Sequence, residues 1–219
     1  MTHNIAKTTD LIKKEGLIAI IRGDFSADEL DEMCDALVEA QLHVIEVTLN
    51  TTGALQAIKA MRDRVGDTVL VGAGTVRTVD QLDAALDAGA QFTVAPNFDA
   101  ASVEKALTQD VLHLPGVFTP TEAQTAFAAG CRVLKLFPSD AVGPGYLKAL
   151  RAPLNDIEFI PTGGIDANNI GDYVRAGAVA VGVGSSLIPK SNWTKTEIIK
   201  RAGAMRQAWQ NALDHNAPD

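Results

Sequence analysis

Eight short apolar runs, each followed by a stretch with helical punctuation, recur along this chain. That alternation restricts it to α/β folds in which a parallel sheet is covered by helices. The runs are Leu17 to Ile21, Val44 to Val47, Val69 to Val71, Phe92 to Ala95, Val111 to Leu114, Val133 to Phe137, Ile157 to Ile160 and Val179 to Val183. They are near-continuously apolar rather than alternating, as expected of strands buried on both faces. Ser26-Ala27-Asp28-Glu29, Thr78-Val79-Asp80-Gln81 and Thr119-Pro120-Thr121-Glu122 read as capping boxes. Gly89, Gly130 and Gly177 stand where glycine ends a helix before the next strand. Eight such units in 219 residues, without a Pro/Ser/Gly linker or a shift in composition, predict one (β/α)8 TIM barrel domain spanning residues 1–219. The segment before Leu17 is expected to add an N-terminal helix closing one end, and Thr194 to His215 a terminal helix. A doubly wound open sheet is the structural alternative.

Composition narrows the function. A formal charge of -8 argues against non-specific binding to nucleic acid or to an anionic membrane, so any phosphate must be held locally. No apolar stretch approaches the length of a membrane span and the first seven residues carry no secretory segment, which predicts a cytoplasmic protein. Cys34 and Cys131 form neither a metal spacing nor a disulfide framework and read as core thiols. His3, His43, His113 and His215 show no metal-binding spacing either, so no metal is expected. His113 reads as a hydrogen-bonded core or rim residue, or as a secondary proton carrier if it faces the interior. Asp140 and Lys148 read as surface charges, and Trp193 and Trp209 as packing residues.

In barrels of this kind the chemistry sits at the C-terminal ends of the strands. Those ends are polar here. Lys135 interrupts the run Val133 to Phe137, and a desolvated lysine loses its proton more readily and becomes a nucleophilic amine. The alternative is an ammonium snorkelling to the surface. Alternation puts Val44, Glu46 and Thr48 on one strand face, where a carboxylate near a lysine can carry protons or form a structural ion pair. Thr162-Gly163-Gly164 and Gly182-Val183-Gly184-Ser185-Ser186 follow the seventh and eighth runs. Each can aim backbone N–H groups at an anion near a helix start, and together they predict a phosphate cradle rather than two tight turns.

An ordered set of segments now carries a resemblance over nearly the whole chain. These are Leu17-Ile18-Ala19-Ile20-Ile21-Arg22, Ile45-Glu46-Val47-Thr48-Leu49, Val71-Gly72-Ala73-Gly74-Thr75-Val76, Lys135-Leu136-Phe137-Pro138, Pro161-Thr162-Gly163-Gly164-Ile165 and Gly184-Ser185. The chain resembles the 2-keto-3-deoxy-6-phosphogluconate aldolase family, which also includes 4-hydroxy-2-oxoglutarate and 2-dehydro-3-deoxy-6-phosphogalactonate aldolases. The resemblance implies a homotrimeric class I lyase of the Entner-Doudoroff pathway type, without cofactor or metal. Lys135 would form the Schiff base and Glu46 would act as acid and base. The substrate would be a phosphorylated keto acid, released in part as pyruvate. Arg22 and Thr75 would hold its carboxylate or adjacent hydroxyls, Pro96 the pyruvyl end and Thr162 the chain hydroxyls. Phe137 would limit water, and Gly163, Gly164, Gly184 and Ser185 would take the phosphate.

Asn50 departs from the gluconate-type members, which often carry arginine there. It resembles the galactonate branch, but Thr51-Thr52 departs from the Ser-Pro common in that branch. An amide supplies neither the fork nor the charge of a guanidinium, so Arg22 carries more of the anion binding or the preferred substrate differs. 4-Hydroxy-2-oxoglutarate is the alternative substrate. The competing functions are an isomerase of a phosphorylated sugar and a silent barrel that only binds phosphate.

Overall fold

The computed structural model describes residues 4–215, so His3 lies outside the described residues. Its elements follow in chain order as α1 (Ile5–Glu15), β1 (Leu17–Ile21), α2 (Ala27–Glu39), β2 (Val44–Thr48), α3 (Ala54–Val65), β3 (Leu70–Gly74), α4 (Val79–Asp87), β4 (Phe92–Val94), α5 (Ala100–Thr108), β5 (Leu112–Leu114), β6 (Gly116–Val117), α6 (Pro120–Ala128), β7 (Val133–Leu136), α7 (Gly143–Arg151), β8 (Glu158–Pro161), α8 (Ile170–Arg175), β9 (Val181–Val183) and α9 (Lys195–Asp214). The N-terminal helix expected before Leu17 is α1. Asn4 caps it by accepting from Lys7 N–H at 2.7 Å. Gly16 ends it at φ 75°, where a Cβ would lie 2.2 Å from the Trp209 ring, so only glycine lets the chain pass α9.

Two of the three capping boxes are complete. Ser26 with Glu29 and Thr119 with Glu122 each exchange both bonds. The third is half formed. Thr78 accepts from Gln81 N–H, but the Gln81 amide oxygen accepts from Arg77 N–H at 2.8 Å rather than from the cap residue. Gly89, Gly130 and Gly177 take φ of 95°, 104° and 93°, the left-handed exits expected of them.

The strands are parallel throughout. Six form one sheet in the order β5-β4-β3-β2-β1-β9, a half-barrel in which β1 lies between β2 and β9, and three form a second sheet in the order β6-β7-β8. Among the described residues, the eight expected strands have thus become nine. The fifth run forms β5 and ends at Leu114, and past Pro115, which has no N–H to give to a ladder, Gly116–Val117 adds β6, so β5 pairs with β4 while β6 pairs with β7. The two sheets meet on both sides. At one junction the chain itself runs from β5 through Pro115 into β6, and at the other Val179 N–H donates to Phe159 O at 3.1 Å beside a Thr162–Gly182 bridge.

Strand alternation sorts the buried apolar residues into two clusters. Ile18, Ile20, Val44, Leu70, Phe92, Val94, Leu112, Leu114, Val133, Ile160 and Ala180 make an inner cluster, and Ile12 of α1 packs into it. Their strand neighbours, such as Ala19, Ile45, Val71 and Leu134, face outward and pack with Met33, Leu37, Ile58, Leu147 and other helix residues. Burying roughly 1.5–3 kcal/mol of side chain at each large position makes this double layer the main source of stability.

Candidate active site

Glu46 and Lys135 continue the inner faces begun by Val44 and Val133, and they come from different sheets. Glu46 is 2% exposed and Lys135 7%. The lysine therefore does not snorkel. Among the described residues, no hydrogen bond or ion pair joins the two side chains, so the structural ion pair weighed from the sequence is not formed. Burial pushes the Glu46 carboxyl up, against the opposing pull of Lys135 and Arg22. Burial pushes the Lys135 ammonium down, opposed by Glu46 and assisted by Arg22. Both groups are driven toward their neutral forms, which suits an amine nucleophile beside a proton-carrying carboxyl.

The backbone makes room for this pair. Gly74 lies beneath Glu46 so closely that a Cβ there would sit 1.8 Å from the carboxylate oxygen Oε1. Gly116, in register with Lys135, lets the Pro96 backbone approach, since a Cβ there would meet its carbonyl oxygen at 2.4 Å. The Phe137 ring lies 4.9 Å from Lys135 Nζ, an apolar cover that also disfavours water.

The remaining residues singled out in the sequence stand on the segments after the strands. Arg22 is exposed just beyond β1 and acts electrostatically on both Glu46 and Lys135. Asn50 is exposed on a turn closed by Thr51 N–H donating to Thr48 O at 2.8 Å. Thr75 follows Gly74 at φ 60°, a left-handed conformation that costs a β-branched residue on the order of 1–3 kcal/mol and marks a constrained position. Thr162 is buried at the end of β8, bridged to Gly182.

Gly163 and Gly164 take φ of 107° and 65° and pack on Asp140 and Ser139, and the Ser186 hydroxyl donates to Ile165 O at 2.5 Å, tying the two glycine loops together. The helix starts expected there are displaced. α8 begins at Ile170, five residues past Ile165, because Asp166 and Asn169 first form an Asx turn. Gly184 and Ser185 begin a single turn, with Gly184 O accepting from Leu187 and Ile188 N–H, and α9 starts only at Lys195. Any anion cradle here is built from loop amides, not helix ends.

His113 does not reach this site. Its neighbours Leu112 and Leu114 face the inner cluster, so its own ring points to the helix side, where Nδ1 lies 2.8 Å from the Thr93 hydroxyl. The secondary proton carrier considered from the sequence is thereby removed. Cys34 and Cys131 are buried free thiols as expected, both pushed up to about 11 by burial. Asp140 and Lys148 are exposed, though Asp140 also backs the glycine pair.

Sequence reading missed two residues that shape the site. Ser139, fully buried, accepts from Thr162 N–H and donates to Leu136 O through its hydroxyl, while its carbonyl accepts from Tyr173. Thr51 binds the ends of β1 and β2 together. A hydroxyl beside a proline or asparagine gives no periodic signal, so only the fold reveals either role.

A family model described as KDPG and KHG aldolase matches residues 8–202. The 2-dehydro-3-deoxy-6-phosphogalactonate aldolase of Escherichia coli (strain K12) is 37% identical over 198 residues, covering 90% of this chain and 96% of that protein. The 2-dehydro-3-deoxy-phosphogluconate aldolase of Pseudomonas aeruginosa is 35% identical over 216 residues, covering 94% and 97%. Among solved structures, KDPG aldolase from Legionella pneumophila, with pyruvate captured at low pH as a covalent carbinolamine intermediate, superposes with a TM-score of 0.79 at 25% identity, covering 93% of this chain and 97% of that one. The family model and the similarity along the chain agree, and the chain belongs to the KDPG and KHG aldolase family.

Proposed function

We propose that this chain is a class I aldolase that cleaves a 2-keto-3-deoxy-6-phospho sugar acid to pyruvate and glyceraldehyde 3-phosphate. The observation that carries the reading is the buried, unpaired Lys135–Glu46 couple, in which each group is pushed toward its neutral form. Lys135 Nζ attacks the C2 ketone to give a carbinolamine, and loss of water leaves a protonated imine. Glu46 takes the C4 hydroxyl proton as the C3–C4 bond breaks, and the electron pair passes into the imine to give the enamine of pyruvate. Return of a proton to C3 and hydrolysis release pyruvate and the free amine. The chain's own groups suffice for every step.

Arg22 and Thr75 hold the carboxylate end, Pro96 and Phe137 enclose the pyruvyl group, and Thr162 meets the chain hydroxyls. Gly163, Gly164, Gly184 and Ser185 receive the phosphate, supported by the hydrogen bond that joins their two loops. The nine strands act as one closed (β/α)8 barrel in a single domain, supported by the chain passing from one sheet to the other at Pro115, by the Val179–Phe159 hydrogen bond at the other junction and by β1 lying beside β9. The protein works in the cytoplasm, the compartment expected from its sequence, and as a homotrimer, as the family resemblance implies.

Borohydride reduction in the presence of pyruvate tests the chemistry. A stable pyruvate adduct on Lys135 is expected, and a folded protein that yields none rules the aldolase out. Asn50 governs the choice of epimer. Cleavage rates for the gluconate-derived substrate, its galactonate epimer and 4-hydroxy-2-oxoglutarate are expected to favour the galactonate epimer, and Asn50→Arg to move the preference toward the gluconate form.

A further inference from the structure

Thr48 and Thr51 are both 3% exposed, yet neither contacts the catalytic pair through a hydrogen bond. Their hydroxyls lie 3.1 Å apart. Thr48 Oγ1 donates to Ile21 O at 3.3 Å, and Thr51 Oγ1 accepts from Gly23 N–H at 3.4 Å, with Ile21 O at 3.4 Å as well. One proton assignment satisfies every group. Gly23 N–H donates to Thr51, Thr51 donates to Thr48, and Thr48 donates to Ile21 O, so each hydroxyl gives one bond and accepts one.

This chain of bonds brackets Arg22. Both peptide groups that flank it, the Ile21 carbonyl and the Gly23 amide, are held by the two threonines. The register of β1 with β2 ends at the Ile21–Val47 pair, so the Gly23 amide lies beyond the last paired residue, where a side chain must meet it. Leu49 N–H, past the same pair on β2, donates to Gly74 O on β3 at 2.8 Å. The same two residues also close the turn that presents Asn50, through Thr51 N–H to Thr48 O.

We infer that Thr51, acting with Thr48, is a positioning residue that fixes Arg22 and Asn50 relative to each other and so sets the carboxylate end of the substrate pocket. The inference rests on the aldolase reading. A threonine contributes here what a valine of the same shape cannot, because the methyl leaves the Gly23 amide without its acceptor and the Thr48 hydroxyl without its donor.

The test is a steady-state and pH comparison of wild type, Thr51→Val, Thr51→Ser and Arg22→Ala. Thr51→Val is expected to raise KM for the keto acid on the order of tenfold, with a much smaller change in kcat, as one hydrogen-bonded constraint is lost. With Arg22 no longer held beside it, Lys135 protonates more easily, so the acid limb of pyruvate–borohydride trapping moves to higher pH. Thr51→Ser restores both values, and Thr51→Val adds nothing to KM in an Arg22→Ala background. Thr48→Val breaks the same chain at its other link and produces the same two shifts, which keeps the test open should Thr51→Val fail to fold. Wild-type KM and pH limb in a folded Thr51→Val, or additive effects with Arg22→Ala, overturn the positioning role. Absence of any adduct in wild type overturns the aldolase reading instead.

Discussion

Replacing Gly74 by alanine tests whether Glu46 moves protons from the place where it is held. The added Cβ would lie 1.8 Å from Glu46 Oε1, 2.6 Å from Cδ and 2.8 Å from Cγ, whereas ordinary contact begins at 3.4 Å. The difference, 3.4 minus 1.8, requires the carboxylate oxygen to retreat by about 1.6 Å if the backbone holds. Glu46 is 2% exposed, so the displaced group pushes into packed neighbours rather than into solvent. Overpacking of this kind costs about 1–3 kcal/mol of stability. A misplacement of more than 1 Å at a proton-transfer group lowers the rate by roughly a hundredfold, equivalent to about 2.7 kcal/mol of barrier.

Cleavage followed through pyruvate release, together with exchange of the pyruvate methyl protons in deuterium oxide, reads both halves of the Glu46 role. Gly74→Ala is expected to lose about two orders of magnitude in both while still forming the borohydride adduct, because Lys135 is on the other sheet. Combined with Glu46→Gln it should add little further loss. A folded Gly74→Ala enzyme that cleaves and exchanges at wild-type rates refutes the assignment of Glu46 as the proton carrier.

Other expectations follow from the same contacts. Glu46→Gln removes the charge that holds the Lys135 pKa up against burial, so the acid limb of imine trapping should move to lower pH, opposite in sign to the Thr51→Val shift. His113 is pushed down from 6.5 to about 4 by burial, so between those values the unfolded chain binds a proton that the folded protein refuses. Stability should therefore fall by about 3 kcal/mol as pH drops through that window, and urea unfolding of His113→Gln should lack this part of the slope. Thr119→Ala should cost about 1 kcal/mol by removing half of a complete capping box, while thermal melts of Thr119→Ser stay near wild type and KM is unmoved in both.

The sequence made β1 legible to the residue, because Leu17 to Ile21 is uniformly apolar between a helix-ending glycine and a charge. β3 extends beyond the expected Val71 to Gly74 because the glycines that break the apolar run are needed where Phe92 and Glu46 lie against that strand. The two-residue β6 was invisible, since Pro115-Gly116-Val117 carries turn chemistry and becomes a strand only through its pairing with β7. Lys135 and Glu46 were readable as lone charges in apolar strands, and alternation put Glu46 on one face with Val44 and Thr48. Their lack of direct pairing was not readable, because strand patterns fix faces and not distances. Ser139 and Thr51 were hidden for a related reason: each joins segments that are neighbours only across the sheet.

The acid and the nucleophile sit on separate hydrogen-bonded ladders, Glu46 on the six-stranded sheet and Lys135 on the three-stranded one. Their spacing is therefore not inherited from any single strand pairing but from the two junctions, at Pro115 and at Thr162 with Gly182. A fragment containing either sheet alone would hold only one of the two groups and could not carry the reaction. Loss of catalysis during unfolding thus reports the parting of the two ladders, even where each ladder is still intact.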